Sequence, residues 1–326
     1  MISQMSSPHQ AVLSRQRKSS VYSRLLVPLD GSKLAEAALP AAIAFVQRAG
    51  ADGTLILGQV GPIEHLAYAH GSYFELPGTA QKEREAYLEG VAEAVRTENI
   101  AVEVVYAQGD PVRGIADMAH DHHADLIVIV THAREGLSRL VHRSVANRVL
   151  RETPVPVLLL KQDEQAHVLF SLGEHPHLLV PLDGSTCAAS AASQAITLAK
   201  QLGATVTVMR SLDLPDLSLA DKGRAGAATD AIQATIPADR HKATTYLSKM
   251  QALFQSHEIP TSLVLTEGGA AQDIVAQARA LEEMGKPIII VMATHGHTGG
   301  HRLLFGSVAS TVLHLADVPL FVIRSH

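Results

Sequence analysis

Cysteine occurs once in the 326 residues, at Cys187, so no disulfide can close within the chain. A single thiol suits a reducing compartment such as the cytoplasm. Tryptophan is absent and aromatic residues make up 4%, too few for the stacking platforms that hold single-stranded RNA or DNA. Positive charge is short as well: 27 Lys and Arg stand against 32 Asp and Glu, a formal net charge of −5. Nucleic-acid binders take most of their affinity from neutralising phosphates, so this balance argues against that class. No apolar run approaches the ~18 residues that span a bilayer, and none argues for a membrane protein. The longest, Ala124 to Val130 and Lys286 to Met292, are strand-sized. Residues 1–20 carry Arg15, Arg17 and Lys18 among Ser and Gln, without the apolar stretch of a signal peptide. They read as a disordered tail, with a transit peptide as the alternative.

What the chain does have is apolar bulk and self-similarity. Hydrophobic residues make up 47% and charged residues 18%, which supports buried cores, and the length suits about two domains of roughly 100–200 residues. The run Arg24-Leu-Leu-Val-Pro-Leu-Asp-Gly-Ser32 returns as His177-Leu-Leu-Val-Pro-Leu-Asp-Gly-Ser185, with only the first residue changed. Near the end of each half, Ser144-Val-Ala-Asn-Arg-Val-Leu150 returns as Ser307-Val-Ala-Ser-Thr-Val-Leu313. Two homologous domains follow, over 21–161 and 175–326, joined by a polar linker at 162–174.

Strand and helix signals alternate within each half. Leu25 to Leu29 is a short apolar run that ends at Asp30-Gly31-Ser32, a turn with a helix N-cap candidate. A helix is expected over 33–49, a strand over 54–60, a helix over 81–97 and a strand over 101–107. Asp110-Pro111 sets an N-cap before a proline at the first helical position, opening a helix to about His123. A buried strand at 126–130, a helix near 144–151 and a strand at 155–160 complete the half. The second half repeats the order, with strands near Leu178, Val206, Leu263, Ile288 and Leu320. Such alternation predicts right-handed crossovers over a parallel sheet, whose ligands bind beyond the carboxyl ends of the strands at the switch point.

The fourth strand of the second half runs into Met292-Ala293-Thr294-His295-Gly296, and ten residues later comes Gly306-Ser307-Val308. This resembles the phosphate loop of the universal stress protein family, Gly-x2-Gly-x9-Gly-Ser/Thr, with Ala293 in place of the first glycine. Physically, Gly296 lets backbone approach a phosphate, and Gly306 opens the turn into the last helix. The amides of Ser307 and Val308 then present an unsatisfied helix N-terminus, with the Ser307 hydroxyl as a further donor. The first half has Val130, Ala133, Arg143 and Ser144 at the matching positions. All three glycines are gone, so a nucleotide is expected in the second half alone, although Arg143 could hold a smaller anion.

The resemblance implies further site residues. Family members line the adenine and ribose region with the proline and aspartate that end the first strand, here Pro28 and Asp30, and Pro181 and Asp183. They read adenine with backbone at the end of the second strand, which aligns with Val60 and Ser211. The second-half site is therefore expected to comprise Pro181, Asp183, Ser211, Met292, Ala293, Gly296, Gly306, Ser307 and Val308, holding ATP with or without Mg2+. A plain turn carboxylate is the other reading of each aspartate. His120, His122 and His123, and likewise His295, His297 and His301, show no zinc spacing. No P-loop, dinucleotide fingerprint or nucleophile elbow occurs. No Lys follows the second-half phosphate glycines and no water-orienting Gln or Glu accompanies them, so efficient turnover is not expected.

The fold implied is α/β, two tandem doubly wound parallel five-stranded sheets of Rossmann-like, universal stress protein type. In the family, last strands pair across a two-fold axis. Residues 155–160 and 320–323 could pair within one chain as an internal pseudo-dimer, with a homodimer as a further option. The implied function is nucleotide-responsive binding in stress adaptation. A slow ATPase and a nucleotide-free protein-interaction module are the alternatives.

Overall fold

The computed structural model describes residues 22–62, 67–69, 72–74, 79–131, 145–161, 175–212, 226–294 and 306–324. The expected tail at 1–20 and linker at 162–174 lie outside them.

The first half runs β1 (Arg24–Pro28), α1 (Lys33–Glu36), α2 (Leu39–Arg48), β2 (Thr54–Gly61), a small hairpin of β3 (Ala67–Ala69) and β4 (Ser72–Phe74), α3 (Thr79–Arg96), β5 (Ala101–Gln108), α4 (Pro111–Asp121), β6 (Leu126–Thr131), α5 (Val145–Glu152) and β7 (Val157–Lys161). The second runs β8 (His177–Pro181), α6 (Thr186–Leu202), β9 (Thr205–Leu212), α7 (Gly226–Ser256), β10 (Thr261–Glu267), α8 (Ala270–Glu283), β11 (Ile288–Ala293), α9 (Ser307–Leu315) and β12 (Leu320–Ile323).

Local chemistry places the helix ends. The Asp110 carboxylate accepts from the amides of Val112 and Arg113, each at 3.1 Å, and Pro111 fills the first helical position where no amide is needed. The Ser185 hydroxyl caps α6 by accepting from the Ala188 amide at 3.1 Å, and Gly203 closes that helix at φ 63°, in the left-handed region. The single helix expected over 33–49 is two. Pro40 falls within its span, so the chain breaks after Glu36 and restarts at Leu39 with proline in the first turn.

Ten strands form one sheet in the order β10-β9-β8-β11-β12-β7-β6-β1-β2-β5. Each half contributes five parallel strands. At the seam β12 runs antiparallel to β7, with Leu320 opposite Leu159, Phe321 opposite Leu158 and Val322 opposite Val157. The two terminal strands named by the resemblance thus meet inside one chain.

Strand parity divides the core into two layers, each shared by both halves. Leu25, Leu57, Val128, Val180, Val208 and Val291 face the layer covered by α2, α3, α6 and α7. Leu26, Ile56, Ile127, Leu179, Met209 and Ile290 face the layer under α4, α5, α8 and α9. Tyr22 fastens the halves on the first layer. Its ring meets Phe321 edge-on at 5.3 Å, its hydroxyl donates to Gln194, and its backbone amide and carbonyl both bond the Gln201 side chain, at 2.9 and 2.8 Å.

Candidate functional site

Helix α6 crosses one face of the second-half sheet and α9 the other, so β8 and β11 are neighbours at the switch point. Beyond β8, the Leu182 amide donates to the Met209 carbonyl at 2.8 Å, holding the strand against β9. Asp183 follows in a tight turn. Its Oδ1 accepts from the Ser185 amide at 2.9 Å, with Gly184 at φ 85°. Asp30 makes the same bond to the Ser32 amide at 2.9 Å. Both aspartates are therefore turn-formers, but Asp30 is exposed whereas Asp183 is half-buried. Pro181, half-buried, pairs with Met209 at the end of the ladder.

Beyond β11, the Thr294 amide donates to the Ile323 carbonyl at 2.9 Å, and the Gly306 amide returns to the Thr294 carbonyl at 2.9 Å. These two bonds tie both ends of the loop between Thr294 and Gly306. Gly306 is the N-cap of α9, at φ −59° and ψ 151°, and no described side chain caps the helix. The first intrahelical bond runs from the Ser310 amide to the Gly306 carbonyl at 2.9 Å. The amides of Ser307 and Val308 thus lie ahead of it, and both residues are exposed. Ser307 is the first helical residue rather than the cap. Gly296 and the histidines at 295, 297 and 301 lie outside the described residues.

The remaining site candidates take different orientations. Met292 is buried in the α8 and α9 layer, while Ala293 packs against the opposite layer. Met292 could therefore serve a ligand only through its backbone. The Ser211 hydroxyl donates on the α8 side, with the Gly268 carbonyl at 3.1 Å and the Asp273 carboxylate at 2.6 Å. Its side chain is committed there, which leaves only the backbone role expected of it.

Two residues at this edge escaped the sequence reading. Arg210 on β9 lies with its guanidinium carbon 5.4 Å from the ring centre of Tyr246 on α7. The Tyr246 phenol is held above its ordinary range by burial first, then by the Asp183 charge, with Arg210 pulling the other way. Superposing the repeats residue by residue was the available signal, since Tyr246 and Tyr87 occupy matching helices.

The first half differs at the corresponding edge. Arg148 on α5 reaches back to the Asp110 carboxylate at 3.2 Å, bridging α5 to the start of α4. The Asp110 carboxyl lies below its usual range through the Arg113 amide and this guanidinium. In the second half, Gly269 caps α8 without a side chain. Ala133, Arg143 and Ser144 lie outside the described residues; Val130 is buried and Val60 packs over Gly114. Among the described residues no group of three or more His, Cys, Asp or Glu could hold a metal ion. His122 pairs with Glu103, and His120 with Asp121 at 3.0 Å. No described helix is long and apolar enough to cross a membrane.

Comparison with known proteins places this architecture. The model of the universal stress protein family matches residues 22–161 and again 175–324. Universal stress protein Rv2005c of Mycobacterium tuberculosis is 23% identical over 239 residues, 71% of each chain. A universal stress protein of Archaeoglobus fulgidus has a TM-score of 0.66 at 19% identity, covering 94% of this chain and 98% of its own, a likeness of fold. A universal stress protein solved in complex with cAMP aligns with 44% of this chain and 99% of its own, at 22% identity and a TM-score of 0.30. With a match in each half, the chain belongs to the universal stress protein family.

Proposed function

We propose that this protein is a nucleotide-responsive regulator that holds one adenine nucleotide, ATP, at the carboxyl edge of its second half. The observation that carries this reading is the start of α9, which no described side chain caps. Gly306 offers no side chain, and the amides of Ser307 and Val308, both exposed residues, lie ahead of the first intrahelical bond, next to the switch point. Such a terminus favours a phosphate through its free amides and the helix dipole together. In this reading Asp183, one strand away, accepts from ribose hydroxyls, and the backbone at Ser211 meets the base. Ser307 adds a hydroxyl donor, and Mg2+ would offset charge between the phosphates.

Calorimetric titration of the full chain with ATP is expected to give a stoichiometry of one. A value of two would remove the asymmetry between the halves, and no binding would remove the reading. Asp183→Ala is expected to weaken ATP several-fold, as for a lost hydrogen bond of about 0.5–1.5 kcal/mol. Asp30→Ala, in the same local turn, controls for damage to the fold and is expected to leave ATP affinity unchanged. Equal losses in the two variants would mean that the ligand had been assigned to the wrong half.

A further inference from the structure

The end of β9 carries an arginine that has no ionic partner among the described residues. Arg24, Arg148, Arg240 and Arg279 each pair with a carboxylate, whereas Arg210 has no such pair among the described residues. It is half-buried and lies over Tyr246, so its orientation is restrained, and no described residue accepts a hydrogen bond from its guanidinium.

The first half shows what this place looks like without that charge. Pro28 pairs with Gly58 and Pro181 with Met209, so the next residues on each strand, Gln59 and Arg210, are equivalent. Gln59 is 6% exposed, and its Oε1 has no hydrogen-bond partner among the described residues. The helix caps Ser32 and Ser185 correspond, which sets Lys33 against Thr186 and Glu36 against Ala189. In the first half Glu36 bonds Lys33 at 2.9 Å and accepts from the Tyr87 hydroxyl at 3.0 Å. The second half therefore has Thr186 and Ala189 in place of the Lys–Glu pair, and a guanidinium beside the equivalent tyrosine. That exchange prepares the position for an anion.

From this we infer that Arg210 receives an anionic group on the ribose side of the bound nucleotide. The site then prefers a nucleoside bisphosphate, phosphorylated at the 5′ position and on a 2′ or 3′ hydroxyl, over the 5′-monophosphate. The inference rests on the nucleotide reading above. Arg210 stands on β9 and α9 follows β11, with β8 between, so the strands that carry the two donor groups are roughly 10 Å apart, two strand spacings. A ribose at Asp183 would lie between them. A planar guanidinium matches phosphate oxygens in pairs, which a glutamine cannot do.

The test is calorimetry at fixed salt on the full chain, comparing AMP with adenosine 3′,5′-bisphosphate and adenosine 2′,5′-bisphosphate. One bisphosphate is expected to bind about tenfold more tightly than AMP, or better. In Arg210→Gln, which copies the first half, the ratio is expected to fall to about one, and in Arg210→Lys to an intermediate value. Circular dichroism checks that each variant is folded. A ratio near one in the unaltered protein, or a ratio that survives in Arg210→Gln, overturns the inference. If AMP binds but the ratio is one, the nucleotide reading stands alone; if no adenine nucleotide binds, both fall.

Discussion

Gly306→Arg is expected to abolish ATP binding while the protein stays folded. Two effects oppose each other. The added charge would attract a phosphate, by about 1 kcal/mol in a partly screened site. Against it, the side chain projects from the N-cap into the space over the Ser307 and Val308 amides. Displacing the phosphate forfeits at least two charge-assisted hydrogen bonds, each about 1.5–3 kcal/mol. A cation also opposes the helix dipole by a further ~0.3–1 kcal/mol. The loss wins by roughly 2 kcal/mol or more, upwards of thirtyfold in affinity. Backbone strain contributes nothing, because φ at Gly306 is −59°, open to any residue. That separates the variants: Gly306→Ala is expected to lose little affinity, and only the arginine to be silent. Unchanged or tighter ATP binding by a folded Gly306→Arg protein would refute the assignment of this loop.

Acidification is expected to destabilise the second half through His177. This residue is 4% exposed, with Nδ1 2.6 Å from the Thr205 hydroxyl and Nε2 2.7 Å from that of Thr207, which in turn lies 2.7 Å from the Ser262 hydroxyl. Burial first, and then the Lys286 charge, hold its pKa down to about 4, against an ordinary 6.5. Between those values the unfolded chain binds a proton that the native protein refuses, so stability rises with pH across the window. Lowering the pH from neutrality through 6.5 towards 4 should cost roughly 2–3 kcal/mol after allowance for solvent screening. The position equivalent to His177 in the first half is Arg24, which pairs with Glu103 at 2.7 Å. Burial alone would raise the Glu103 carboxyl, but bonds from His122 and Arg24 hold it below its usual range. That pair is therefore lost only at lower pH. Urea unfolding at pH 7 and pH 4.5 checks the point. His177→Gln should flatten the pH dependence, and an unchanged slope would show that His177 does not titrate in this window.

Much of the architecture was legible because it is written twice. The Leu-Leu-Val-Pro-Leu-Asp-Gly-Ser run located β1 and β8, their turns and both serine caps in one step, and the β-branched runs located β6 and β11. Elements without a repeated or periodic signal were missed. Strands β3 and β4 have three residues each, too short to show alternation. Helix α7 follows from the repeated order, but its length does not: 31 residues against 18 in the equivalent α3. Met292 and Ala293 were treated alike as site residues although successive strand residues face opposite layers. Arg210 was passed over because one arginine in an apolar strand has no motif around it. Its meaning comes from Gln59 at the matching place and from the tyrosine that α7 brings alongside.

The antiparallel meeting of β7 and β12 has a consequence for anyone who divides this chain. Residues 157–161 and 320–323 are buried along their whole length, and each row supplies the other's missing neighbour. A cut between positions 161 and 175 would release two fragments, each with a bare hydrophobic rim of unpaired amides and carbonyls. Such fragments are expected to recombine when mixed, or to join like with like when kept apart. Truncations meant to isolate one half therefore need a polar guard on that strand.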